Sequence, residues 1–212
     1  MVNRILKKGG WQTNIKYFKN YVIKTPKTEQ EIRERITPHY ERIGDIPRIK
    51  EKIKKLKSDW INSVKIVKSG IIPLELLAFP EFLRDGKIKQ KRVKMLSEEF
   101  EELISANKLK ESKRLVDKVI EFILNLWSYG VHEVTFKFYT EMGLLNGNIV
   151  LVDIGELTDD KEVVKRQLIK GYKKLEDLRK YHHDKILNYY QDQIKKKLTI
   201  DKLNKVWDSK IN

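Results

Sequence analysis

An acidic residue at the end of an apolar segment is the feature of this chain best suited to chemistry. Residues 149–152 are apolar and mostly β-branched, as in a buried strand, and Asp153 follows them two positions before Gly155. A carboxylate at the edge of a core needs a cation, a hydrogen-bond donor or water. Glycine would let the chain turn sharply after it. Such a triplet can hold Mg²⁺, although Asp and Gly are also the ordinary residues of turns.

Two neighbouring segments would position this carboxylate. Asn146-Gly147 precedes the strand, and Asn-Gly is a strong signal of a hairpin turn. A wide apolar face between residues 115 and 127 predicts a long helix, with Gly130 as its stop. The loop after Gly130 contains His132 and Glu133, which can exchange or orient protons.

The first quarter of the chain predicts a small antiparallel sheet followed by a helix. Strands are expected at residues 4–8, 13–18 and 21–25, with turns at Gly9-Gly10 and Lys19-Asn20. Thr28 has Glu31 three residues later, as in a helix-capping box. Pro38 then predicts a kink or a break.

The next segments predict a mixture of helix and strand. Residues 48–57 favour an amphipathic helix or an exposed connection, and residues 63–67 alternate like a strand. Asp85-Gly86 predicts a hairpin turn into a strand over residues 87–93. From Ser97 onward the chain is predicted to be mainly helical, with Thr199 capping a last short helix.

Composition limits the classes of protein that this chain can belong to. Its 212 residues suit one substantial core or two lobes that share an interface. The absence of cysteine excludes disulfides and thiolate chemistry and favours a reducing compartment. No apolar run approaches the roughly 20 residues of a membrane span, and the first ten residues lack the apolar stretch of a signal peptide. We therefore expect a cytoplasmic protein.

The net charge of +15 is concentrated at the two ends of the chain. Residues 1–60 carry +9, residues 61–160 carry −2, and residues 161–212 carry +8. Basic ends attract phosphates, nucleotides, nucleic acid or an acidic protein partner. Lysine runs are also common on solvated faces, so a basic helical protein that binds nucleic acid without a nucleotide pocket remains an alternative.

Taken in order, these segments resemble the protein-kinase-like fold over roughly residues 1–160. The order is strand, glycine turn, two further strands, a Glu-rich helix, more strands, a long apolar helix, a His-containing loop and a strand ending in Asp-x-Gly. The resemblance implies an α+β fold, with a small antiparallel N-terminal lobe in residues 1–95 and a mainly helical lobe in residues 96–212. It also implies ATP and Mg²⁺ as cofactors, with a phosphoryl acceptor that the sequence does not identify.

Several residues would hold the nucleotide in this resemblance. Gly9 and Gly10 would lie in the loop that covers the phosphates, and Val22-Ile23-Lys24 is similar to the strand whose lysine holds the α and β phosphates. Glu34 or Glu41 would be the helix carboxylate that pairs with Lys24.

A second set would bind the base and carry out the chemistry. The segment from Gln90 to Val93 would lead to the adenine-binding connection, where backbone groups recognise the base. Asp153 and Glu141 would bind Mg²⁺, and Glu133 would orient the acceptor hydroxyl.

The chain departs from the family pattern at three places. Val134 stands where the pattern has its catalytic Asp, so Glu133 can act only if the loop is shifted by one residue. Glu141 replaces the expected metal-binding Asn, and the glycine loop lacks the full Gly-x-Gly-x-x-Gly. These differences are typical of a small atypical kinase, of the kind found in bacteria and archaea, or of a pseudokinase that binds without catalysis.

Overall fold

The computed structural model describes residues 10–135, 137–170 and 184–210, and these form a mixed α+β structure with small antiparallel sheets. The predicted α+β class is thereby confirmed. The largest sheet has four strands in the order β1-β2-β4-β3. Its strands are β1 (Thr13–Tyr17), β2 (Tyr21–Pro26), β3 (Glu81–Phe82) and β4 (Ile88–Lys91).

Strand β2 lies between β1 and β4, so both of its edges are hydrogen-bonded. Alternate residues of β2 and β4 face the interior, as the two-residue period of a strand requires. Val22 and Lys24 are the buried residues of β2, and Ile88 and Gln90 are those of β4. A lysine therefore points from a central strand into the protein.

Two helices follow the first hairpin. The predicted capping box is confirmed, since Glu31 N donates to Thr28 Oγ1 and Thr28 N donates to Glu31 Oε2. Helix α1 (Glu29–Arg42) continues through Pro38 as one helix, so no break occurs there. Helix α2 (Ile49–Lys68) packs on it, and the two form a small core of their own. That core contains Ile32, Ile36, Tyr40, Ile49, Ile53 and Leu56.

The strand expected at residues 63–67 is wrong, because these residues form the last turns of α2. The alternation of polar and apolar residues over 63–67 is a short part of the helical pattern of α2. The buried positions of α2 are mostly three, four or seven residues apart, so they lie on one side of a helix. They are Ile49, Ile53, Leu56, Ser63, Ile66 and Val67.

A second sheet joins β5 (Lys94–Met95), β7 (Met142–Leu145) and β8 (Asn148–Leu151). The predicted turn between β7 and β8 is confirmed. Asn146 and Gly147 have φ of 53° and 79°, the left-handed pair that a tight hairpin needs. The strand that leads to Asp153 therefore starts where the sequence predicts it.

The rest of the chain is mainly helical. The predicted long helix is confirmed as α4 (Leu109–Ser128), and Gly130, with φ of 65°, follows its end. A short pair, β6 (His132–Glu133) with β9 (Leu157–Thr158), ties the loop after α4 to the segment after Asp153. The other helices are α3 (Leu96–Ser105), α5 (Phe138–Glu141), α6 (Lys161–Lys170), α7 (Asp184–Lys197) and α8 (Ile200–Trp207).

The main hydrophobic core crosses the boundary predicted near residue 95. Ile66 and Ile88 belong to the same buried cluster as Trp127 and Tyr190. Thr199 caps α8 as expected, accepting a hydrogen bond from Lys202 N. No helix of the described residues is long and apolar enough to cross a membrane. The strand expected at residues 4–8, and Gly9, lie outside the described residues.

Candidate functional site

Lys24 is the most unusual residue of the interior, since its side chain is only 2% exposed. Nζ donates a hydrogen bond to Val152 O at 2.6 Å and lies 4.0 Å from Asp153 Oδ1. Lysine is almost never fully buried without a partner. Here the carbonyl group and the carboxylate at the end of β8 are those partners. The structure thus brings together the two residues that the sequence singled out for phosphate and metal.

The Asp153 carboxylate is held by its own loop. Its Oδ1 accepts a hydrogen bond from Gly155 N at 3.0 Å, and its side chain is 36% exposed. The carboxylate is therefore anchored on one side and accessible on another. A metal-binding carboxylate needs both properties, because it must keep a fixed geometry and still be reached by a cation from solvent.

Gly155 lies in a turn before β9, as the sequence predicts, and its packing adds a second reason for glycine at this position. Its φ is not among the left-handed values, so the backbone conformation alone does not demand glycine here. A Cβ here would collide with Gln12 Oε1 and would lie 3.2 Å from Asp153 Oδ1 and 3.3 Å from Trp60 Cε3. The glycine permits the close approach of three chain segments.

The side chain of Gln12 links these segments by hydrogen bonds. Its Nε2 donates to Leu56 O on α2 at 3.0 Å and to Gly155 O at 3.2 Å. The start of β1, the middle of α2 and the Asp153 loop are therefore linked by one amide. Sequence reasoning missed Gln12 and Trp60, and no local motif marks either of them.

Glu141 lies beside Asp153 in an acidic environment. Its backbone oxygen accepts hydrogen bonds from Val152 N at 2.7 Å and Asp153 N at 3.1 Å, and its Oε1 accepts one from Thr140 Oγ1 at 3.1 Å. Burial raises the pKa of Glu141 well above its usual value, and the negative charges of Asp153, Glu133 and Glu156 raise it further. Bringing a cation to this place would relieve the repulsion.

The donor set is compatible with Mg²⁺ held jointly by protein and phosphate. Mg²⁺ is usually bound through one or two carboxylates together with substrate phosphates and water. Asp153 and Glu141 supply two carboxylates from adjacent segments. Within residues 10–135, 137–170 and 184–210, no three His, Asp or Glu side chains are arranged as a complete metal site. Water or phosphate oxygens would therefore have to complete the coordination.

The Glu133 side chain is buried and forms a hydrogen bond within its own loop. It is 3% exposed, and its Oε1 accepts a hydrogen bond from Thr135 N at 2.7 Å. The adjacent Val134 is fixed at both backbone groups, since its N donates to Glu156 O at 3.0 Å and its O accepts from Gln167 Nε2 at 2.8 Å. The loop after α4 is consequently well anchored beside the acidic residues.

His132 is a structural residue of this loop. It is 1% exposed, and its Nδ1 accepts a hydrogen bond from Trp127 Nε1 at 3.0 Å. Burial lowers the pKa of His132 to about 3, so the imidazole is neutral at physiological pH. Its ring therefore fixes the end of α4 against β6.

The expected pairing of Lys24 with Glu34 or Glu41 is not found. Both glutamates are exposed on α1, neither lies within 4.0 Å of Lys24 Nζ, and Glu34 Oε1 accepts a hydrogen bond from Gln30 Nε2. The buried face of α1 is set by Ile32, Ile36 and Tyr40 and is turned toward α2. Because 3.6 residues make a turn, Glu34 points away from that face. Helix α2 is the one that reaches the Asp153 loop.

The remaining predicted nucleotide residues are placed as follows. Gly10 is exposed, and a Cβ added there would meet no atom of the described residues within 4 Å. Gln90 is 1% exposed, and its Nε2 donates to Leu77 O at 2.8 Å. Val93 is half-buried between β4 and β5, and its side chain packs closely against Gly143 of β7. Their roles in nucleotide binding stay predictions.

Comparison of the chain with protein-family models, with curated proteins and with solved structures gave no match. The site is therefore interpreted from its own geometry.

Proposed function

We propose that this protein binds ATP with Mg²⁺ and transfers a phosphoryl group to an acceptor hydroxyl. The observation that carries the proposal is the buried Lys24 Nζ at 4.0 Å from Asp153 Oδ1. Phosphoryl transfer needs a cation on the nucleotide phosphates and a carboxylate that holds the metal. The resemblance to the protein-kinase-like fold assigns those tasks to the same two residues.

Each residue has a distinct task in this mechanism. The ammonium of Lys24 is held by Val152 O, and it would neutralise charge on the phosphates. Asp153, fixed by Gly155 N, and Glu141 would hold Mg²⁺, which on binding would screen the developing negative charge. A cytoplasmic location, favoured by the absence of cysteine, would supply both ATP and Mg²⁺.

The group that orients the acceptor departs furthest from the family pattern, and it supports a second candidate function. Val134 occupies the position of the expected Asp, and Glu133 is buried with Oε1 on Thr135 N. A pseudokinase that binds nucleotide or a partner without chemistry fits these two observations. In the active alternative, Glu133 orients the hydroxyl.

Two assays distinguish an active enzyme from a pseudokinase. One measures the transfer of labelled γ-phosphate to a panel of acceptors, and the other measures ATP hydrolysis. Lys24→Ala and Asp153→Ala should abolish turnover while the chain stays folded. Asp192→Ala, an exposed carboxylate on α7, is the matched control and should retain it. Normal turnover in both site variants would contradict the proposal.

Two further results identify the alternatives. ATP binding without turnover in the wild-type protein would support the pseudokinase. Nucleic-acid affinity that falls steeply with salt and is unchanged by Asp153→Ala would support a partner bound through the basic ends.

A further inference from the structure

The four-stranded sheet has an outer face on which aromatic and cationic side chains alternate. Val22 and Lys24 of β2 point inward, so Tyr21 and Ile23 lie on the opposite face, as the two-residue period of a strand requires. In the antiparallel register, Lys91 of β4 lies opposite Tyr21. Residues directly opposite each other share a face. None of the three outer residues Tyr21, Ile23 and Lys91 is buried.

The outer face continues onto β1. Lys16 lies opposite Ile23 and is exposed. Phe18, two positions after Lys16, stacks on Tyr21 with the ring centroids 4.4 Å apart and the ring planes 14° apart. An aromatic pair therefore lies at the end of the β1–β2 hairpin, with a lysine on either side of it along the sheet.

Phe79 adds a third ring beyond β4. It is 41% exposed, and Lys91 Nζ lies 4.0 Å from its ring centroid. Phe79 and Ala78 both have left-handed backbone, with φ of 53° and 54°, which is rare for a bulky residue. Phe79 N donates to Leu74 O at 2.8 Å and helps to hold this conformation. Strained backbone of this kind is concentrated at binding sites, where a side chain must be kept in place.

Lysines cover the rings of the aromatic pair. Lys16 Nζ lies 5.2 Å from the centroid of Phe18, and Lys89 Nζ lies 5.3 Å from that of Tyr21. Such contacts are weak at exposed sites, whereas a nucleic-acid base stacked on an aromatic ring is held more strongly. A base would therefore replace the ammonium above a ring. Lys16 would be displaced more easily than Lys89, which also pairs with Glu81 at 2.9 Å.

A cleft of about 550 Å³ adjoins this face and is mainly cationic. Its charged lining residues are Lys19, Lys91, Arg92 and Lys94, with Glu98 as the carboxylate. An excess of positive charge attracts a phosphate backbone. An acidic protein would match the charge but would leave the aromatic rings without flat partners. The combination of rings and cations favours nucleic acid.

We propose that the outer face formed by Lys16, Phe18, Tyr21, Phe79 and Lys91 binds single-stranded nucleic acid. Unpaired bases stack on the rings, and the phosphates between them contact the lysines and the cleft. Stacking and phosphate contacts of this kind tolerate many sequences, because every base has a flat π surface. Lys24 is on the inner face of the same sheet, so this surface is independent of the proposed nucleotide site.

The test measures binding of a fluorescent oligodeoxythymidylate of about 20 nucleotides by anisotropy at several salt concentrations. An abasic phosphodiester chain of the same length has the same charge and no bases. Phe79→Leu removes a ring and keeps an apolar side chain. The double variant Lys16→Gln/Lys91→Gln removes two outer-face charges. Its matched control is Lys195→Gln/Lys196→Gln, two exposed lysines of α7.

The wild-type protein should bind the oligodeoxythymidylate at least about tenfold more tightly than the abasic chain, as expected for stacked bases. Phe79→Leu should remove about tenfold of this preference and leave the abasic chain unchanged. Phe18→Leu should repeat this result if Phe79→Leu fails to fold, which thermal unfolding checks. Lys16→Gln/Lys91→Gln should flatten the plot of log affinity against log salt by roughly 1.4, and the α7 control should leave it unchanged.

Three outcomes would overturn the inference. Equal affinity for the oligodeoxythymidylate and the abasic chain would show that only charge is recognised. An equal loss in the α7 control would assign binding to the basic C-terminal helices. Binding of polyglutamate in place of the oligodeoxythymidylate, or no binding of either at low salt, would exclude nucleic acid as the partner of this face.

Discussion

Two lysine–carboxylate groupings of this protein contain the same chemical groups in opposite environments. Lys24 is 2% exposed and lies 4.0 Å from Asp153, between a sheet and a loop that is distant in sequence. Lys94 is 36% exposed and forms ion pairs with Glu99 at 2.8 Å and Glu102 at 2.5 Å on the neighbouring helix α3. The exposed pairs have the shorter distances, yet the buried lysine has the greater potential to do chemistry.

The candidate site is therefore identified by the burial of its lysine and not by the nitrogen–oxygen distance within the ion pair. Exposed pairs gain little because water screens them and long side chains lose entropy. A buried ammonium has given up most of its hydration and depends on the few groups around it. A phosphate that reached Lys24 would interact in a medium that screens charge far less than water does.

Replacing Lys24 should produce the largest effect. Lys24→Met keeps much of the apolar stem and removes the charge, so we expect ATP affinity to fall by about 100-fold, as for loss of a strong charge-assisted hydrogen bond. Calorimetric titration with ATP and Mg²⁺ measures the change. Unaltered affinity in a folded Lys24→Met protein would remove Lys24 from the site.

The second prediction tests the close packing behind Asp153. Gly155→Ala forces a Cβ against Gln12 Oε1 and near Trp60 Cε3, and we expect a loss of about 1–3 kcal/mol in the free energy of unfolding. Gly10→Ala meets no atom of the described residues within 4 Å and should change it by less than about 0.5 kcal/mol. Urea unfolding measures both, and equal effects would show that the two glycines are packed alike.

The third prediction concerns the pH dependence caused by Glu141. Its folded pKa is raised, so the ionised form is the costly one. The resulting destabilisation is absent below the unfolded pKa, near 4.5, and grows as the pH rises toward the folded value. Glu141→Gln should therefore melt at the same temperature as the wild type near pH 4 and at a higher temperature at pH 7 without Mg²⁺.

A gain of about 1 kcal/mol in Glu141→Gln would correspond to roughly 2–4 °C for a chain of this size. Scans of melting temperature against pH measure it. A variant that is less stable than the wild type at pH 7 would show that the ionised Glu141 is favourably paired.

The smallest effect is expected in the exposed grouping. Lys94→Met breaks the ion pairs with Glu99 and Glu102 and should cost little stability, because water screens these exposed charges, with ATP affinity unchanged. Raising the salt concentration should reduce even this cost. A loss of nucleotide affinity comparable to that of Lys24→Met would erase the distinction between the two groupings.

The sequence could predict those parts of the structure that depend on nearby residues. The capping box at Thr28, the Asn146-Gly147 turn and the long helix ending before Gly130 are all formed within a few residues. Asp153 is predicted from its place after an apolar strand and Lys24 from the resemblance to the kinase-like fold, and the structure brings the two side chains together. Their nucleotide and metal roles stay predictions.

The parts that the sequence could not predict depend on distant contacts. Gln12 and Gly155 are 143 residues apart, and nothing local to either indicates their hydrogen bond. Glutamates occur on several faces of α1, so the outcome for Glu34 and Glu41 depends on which face of α1 packs against α2. Residues 63–67 alternate over too short a stretch to reveal that they continue the helical period of α2.

The most direct test of the proposed site is the melting temperature with and without ATP and Mg²⁺, for the wild type, Asp153→Ala and the control Asp192→Ala. Ligand at about 100 times its dissociation constant should add roughly 2.7 kcal/mol to stability, a shift of several degrees. We predict a Mg²⁺-dependent shift in the wild type and in Asp192→Ala that is lost in Asp153→Ala. No shift in the wild type at millimolar ATP, or an equal shift in all three proteins, would contradict a nucleotide site at Lys24 and Asp153.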